Sequence, residues 1–73
     1  MIQEKAVAKE VSQLMIEYGA KLDASVALVK QKCSAEEFEA YRKAVGKIMG
    51  YMLLDVMNPL YEKYPDLKPA ELD

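Results

Sequence analysis

The chain has no histidine and no tryptophan, a single cysteine, and no proline before position 59. Each absence removes a class of protein. Without histidine, the commonest general base and the commonest nitrogen ligand for zinc are missing. Cys33 cannot form an internal disulfide, and no second thiol exists to share a metal. A disulfide-stapled secreted scaffold is therefore excluded, as is a single-chain zinc module. Glycine occurs only at 19, 46 and 50, so no glycine-rich phosphate loop can be drawn. No apolar run approaches the ~20 residues that a membrane span needs.

Neither charge sign dominates. Ten basic residues face twelve acidic ones, interspersed along the chain, for a formal net charge of −2. A nucleic-acid binder usually shows a basic stripe, and none is present, so no nucleic-acid partner is expected. The first residues lead straight into an amphipathic pattern, with no apolar signal-peptide core. One free cysteine, no signal and no span predict a cytoplasmic protein.

What remains is helix-forming sequence. Alanine, glutamate, lysine, leucine and methionine dominate residues 1–58, and no stretch alternates long enough to suggest a strand. At ~100° per residue, Val7, Val11, Leu14, Met15, Tyr18, Leu22, Val26 and Val29 share one face of a helix from about residue 3 to 31. A second helix is predicted from about 35 to 57, with Phe38, Tyr41, Val45, Ile48, Met49, Met52 and Val56 on its inner face. Between them, Ser34 and Glu37 have capping-box spacing, and Cys33 and Phe38 occupy the positions of a hydrophobic staple. So short a linker folds two helices into an antiparallel hairpin, residues 1–58. Asn58-Pro59 then opens a short third helix or kinks the second. Residues 59–73 are expected to pack on the hairpin through Leu60, Tyr61, Tyr64, Leu67 and Leu72.

The segment KIMGYMLLDVM is apolar in nearly every direction. From Ile48 to Met57 only Gly50 and Asp55 are not large and apolar. A helix apolar all round is normally buried all round, and a hairpin covers only one face. Either the tail or a second copy must cover the rest. The tail has few large residues, which favours a homodimeric four-helix bundle. Gly46, Gly50, Leu53 and Met57 form a second stripe, with Tyr51 and Leu54 on further sides, and these six are the expected interface residues. Two interior glycines cost ~1 kcal/mol each relative to alanine, a cost that close packing would offset. In the hairpin, Gly19 and Ala20 should stand near Gly46 and Gly50. Asp55 is expected at the water-exposed rim. An ion pair at a dimer seam with Lys21, Arg42 or Lys47 is the alternative.

No catalytic constellation emerges. The serines lack a base, the acidic clusters lie at helix starts or in the tail, and no Glu-x-x-His pair could hold metals. The chain is expected to be non-enzymatic and to carry no cofactor and no metal. Five tyrosines and five methionines instead make adaptable contact surface. The expected function is a small protein–protein interaction module, an adaptor, inhibitor or chaperone-like protein, acting as a homodimer with a possible further protein partner. The competing expectation is a carrier that holds a small apolar ligand in a Met/Tyr-lined core.

Overall fold

A computed structural model describes residues 2–69. All secondary structure among them is helical. Helix α1 spans Lys5–Lys32 and α2 spans Ala35–Tyr51. A π-helical turn, Met52–Met57, continues α2 without a break into α3, Asn58–Lys63. A 3₁₀ turn, Pro65–Leu67, follows. The last turn expected from the sequence, residues 67–72, falls outside the described residues from position 70 onward.

The hairpin turn is built as its sequence dictates. The backbone N–H of Glu37 donates to Ser34 Oγ at 3.2 Å, and the N–H of Ser34 donates to Glu37 Oε1 at 3.2 Å. Both halves of the capping box are thus closed. Lys30 and Lys32 sit in the last turn of α1, where cations suit the negative end of the helix dipole.

Helix α2 and its continuation form one rod, and the π turn explains how it passes Pro59. Proline lacks the N–H that would bond to the carbonyl four residues earlier, and its ring crowds that carbonyl. Widening the preceding turn relieves the crowding. The Asn58 N–H donates to the Leu53 carbonyl, one residue further back than in an α-helix. The backbone on either side stays in the right-handed helical region. Of the two forms expected at Asn58-Pro59, a new short helix or a kinked continuation, the chain takes a continuation with a local widening.

That widening also resets the helix phase. It takes up one extra residue, so everything beyond it is turned back by ~100°. On an uninterrupted α-helix, Met57 would share a stripe with Gly50 and Leu53. With the reset, Met57, Leu60 and Tyr61 all turn inward, and all three are buried. They form the main core cluster with Ala8 of α1, flanked by Ile2, Val11, Met15, Tyr64 and Leu67. Two polar pairs cross the hairpin, Ser12 Oγ to Tyr61 Oη at 2.5 Å and Ser25 Oγ to Tyr41 Oη at 2.8 Å. The N-terminal segment is tied to the tail by Tyr64 Oη donating to the Gln3 carbonyl at 2.8 Å and by Lys5 Nζ to Asp66 at 2.5 Å.

The core is thin. Leu60, 1 % exposed, is the only large side chain with essentially no accessible surface among the described residues. Val7, Leu14, Tyr18 and Ile48, which the periodicity assigns to the inner faces, are each exposed by more than two fifths. The reason is geometric. Each helix has one neighbour, and its contact with that neighbour is narrower than its apolar face. The molecule measures 44 × 20 × 16 Å, two helices wide and one helix deep.

Candidate interaction surface

Among the described residues, the tail leaves most of the apolar run uncovered. It packs beside the N-terminal part of α1, and only Pro69 reaches the surface in question. That surface is an open groove of about 760 Å³ along the middle of the hairpin. One wall comes from α1, with Met15, Ile16, Gly19, Ala20 and Asp23. The other comes from α2 and the π turn, with Met49, Gly50, Met52, Leu53 and Met57. Every methionine within the described residues lies here. Asp23 is the groove's single charged residue.

The groove has a local cause. Gly19, Ala20 and Gly50 leave little side chain where the two helices pass. The glycines do not, however, bring the backbones into contact. A Cβ placed on Gly46 or Gly50 would meet nothing within 4 Å, and one on Gly19 would meet only Met49 Cε at 3.9 Å. The expected intrachain approach of Gly19-Ala20 to Gly46 and Gly50 is thus corrected. The Met49 side chain stands between the helices at that level, and the small residues open a trough on the outside.

The six expected interface residues separate into two groups. Gly50, Leu53 and Met57 line the groove. Gly46 is exposed one turn from Gly50 on the same flank. Met57 reaches the groove from the core, 8 % exposed, because of the phase reset. Tyr51 and Leu54 lie elsewhere and are 67 % and 64 % exposed. Of the α1 wall, the sequence placed Gly19 and Ala20 near Gly50 but not Ile16 and Asp23. Its signal was present: Ile16, Gly19, Ala20 and Asp23 follow the i, i+3, i+4, i+7 spacing of a helix face, masked by the stronger stripe beside it.

Charge is arranged around this surface rather than in it. Asp55 is exposed. Arg42 pairs with Glu39 at 2.9 Å, and each stabilises the other's charged form, lowering the Glu39 pKa and raising that of Arg42. On the opposite flank of α1, the Lys21 ammonium sits 5.8 Å from the centre of the Tyr18 ring. Cys33 is exposed at the turn. Among the described residues no three His, Cys, Asp or Glu side chains gather as metal ligands, and no helix is long and apolar enough to cross a membrane. The chain matches no known family model, no curated protein and no solved structure.

Proposed function

We propose that the chain is a small non-enzymatic protein–protein interaction module, cytoplasmic, acting as a homodimer in which two hairpins form a four-helix bundle. Its role is that of an adaptor, inhibitor or chaperone-like partner. The observation that carries this reading is the apolar groove, where Pro69 is the one lining residue from the described part of the tail. The size of the exposed surface supports it. A folded monomer of 8.2 kDa is expected to expose about 4,500 Å². This chain exposes 5430 Å². Its radius of gyration is 14.4 Å, where a compact 73-residue domain gives about 11 Å. Both excesses follow from the elongated hairpin, a shape that a second copy stacked on it would make more compact. An exposed free thiol suits a reducing compartment.

The second reading is a carrier of a small apolar ligand. One observation favours it: Met15, Met49, Met52 and Met57 converge on the groove, and methionine adapts to irregular apolar shapes. Native mass spectrometry of gently purified protein separates the readings. Twice 8.2 kDa is the expected mass. A monomer carrying a small-molecule adduct would favour the carrier, and a bare monomer would contradict the homodimer.

A further inference from the structure

We infer that a second copy of this chain packs on the flank opposite the groove, turned end for end, with Lys47 of each copy paired to Asp55 of the other. This rests on the homodimer reading above and adds the face, the direction and the contacts that fix them. The face follows from exposure. Of the exposed large apolar side chains among the described residues, only Ile16 and Leu53 line the groove. Leu14 and Tyr18 each stand two residues from Ile16, about 200° of helix turn, and so lie on the other flank of α1. Ser25 follows Tyr18 by seven residues on the same stripe. The Tyr41 hydroxyl meets Ser25 Oγ at 2.8 Å, and Ile48 and Tyr51 continue the Tyr41 side of α2. Leu14, Tyr18, Ile48 and Tyr51 are each exposed by more than two fifths. Pro69, the last described residue, lies on the groove side.

The occupant follows from charge. Of the cations expected to be open to Asp55, Arg42 is held by Glu39 and Lys21 lies over Tyr18. Lys47 and Asp55 are exposed, and among the described residues neither has an ion-pair partner. Lys47 stands four residues before Tyr51 and Asp55 four residues after it. Along α2 and the π turn four residues come close to a full turn, so the three share one stripe. Read in either direction from Tyr51, the stripe carries opposite charges at equal distances. A two-fold interface needs such self-complementarity, because one patch must match itself.

Two two-fold axes could stack this flank on its copy. An axis along the hairpin keeps every level fixed and lays α2 over the second copy's α1. Gly19 is level with Met49, which makes Lys47 level with Lys21 to within about a residue. That axis therefore brings Lys47 onto the second copy's Lys21, like charge on like. An axis across the hairpin reverses the levels and lays α2 over α2. Placed at Tyr51, it carries each Lys47 to the other copy's Asp55, twice in the dimer. By the same register Tyr51 is level with position 17, within about a residue of the midpoint between Leu14 and Tyr18. The crosswise axis thus also brings Leu14 toward the second copy's Tyr18.

The test is a charge swap on the full chain, read as the dimer dissociation constant by sedimentation equilibrium at low salt. Lys47→Glu and Asp55→Lys each set like charges together twice in the dimer. Each is expected to weaken it about fivefold or more. The double variant exchanges the signs and remakes both pairs, so it is expected within about twofold of the parent. Within one chain the two positions are eight residues apart, roughly 12 Å, so the rescue requires contact between copies. Single variants at parental affinity, or a double variant no tighter than the singles, would overturn the pairing and with it the face. A monomeric parent would overturn the homodimer itself. A nitroxide on Cys33, exposed at the turn, gives the direction by dipolar electron paramagnetic resonance. From Cys33 to an axis near position 17 is about 24 Å, so a tip-to-tip separation of about 50 Å is expected. A separation below about 25 Å would overturn the crosswise axis while leaving the homodimer standing. Circular dichroism confirms that every variant remains helical.

Discussion

Ser34 carries the turn with one hydroxyl, so its removal is a clean test of local design. Ser34→Ala is expected to cost about 1 kcal/mol in urea unfolding. The pH dependence has a definite sign. Hydrogen bonds with Ser34, the side chain foremost and the backbone second, hold the Glu37 carboxyl below its ordinary value of 4.5. A carboxyl lowered in the folded state contributes stability above its unfolded pKa and loses it as pH falls through the folded value. The Ser34→Ala penalty should therefore shrink on acidification below about 4.5, as urea midpoints across that range would show. A second residue-scale prediction concerns Tyr61. Its hydroxyl meets Ser12 in the core, so Tyr61→Phe strands a buried hydroxyl and is expected to cost about 1–3 kcal/mol. Ser12→Ala added to that variant should recover part of the loss. The capping box was fully legible in the sequence because its signal is four adjacent residues. The Ser12–Tyr61 pair was not, because its members are far apart and both types are common on surfaces.

Helices α1 and α2 were legible for the same reason that the π turn was not. Apolar periodicity over many residues fixes the type and extent of an element, but a one-residue phase slip inside an apolar run leaves the pattern nearly unchanged. From Met52 to Met57 almost any phase places apolar groups inward. Pro59 marks a disturbance without specifying its form, and the burial of Leu60 and Tyr61 decides it. Deleting exposed Asp55 in a Pro59→Ala background removes the one extra residue together with the crowding by the ring, and lets the π turn become α-helix with its downstream phase intact. The deletion is expected to retain a cooperative melt. Deleting Lys21 from α1, where no wide turn exists to absorb the change, rotates Ala8 and Ser12 by ~100° away from Leu60 and Tyr61 and should abolish it. Thermal circular dichroism of the two deletions checks the contrast. Equal damage from both would show that the wide turn is not a phase correction.

At the scale of the whole molecule, hydrophobic surface is distributed over more directions than one hairpin can cover. The sequence made this visible from Ile48 to Met57, and it pointed to Gly50 and Leu53. On α1 it placed Gly19 and Ala20 near Gly50 but did not point to Ile16 and Asp23, whose face is masked by the stronger stripe beside it. It also placed Tyr51 and Leu54 on further sides of the helix, and both are exposed there. The thin core and the exposed groove support the proposal that a second copy completes the folding unit. Stability coupled to self-association depends on protein concentration by mass action. The most direct test is the thermal midpoint measured over about a hundredfold range of protein concentration. For a homodimer the midpoint rises steadily with concentration, and a midpoint that stays constant across the range would contradict the proposed dimer.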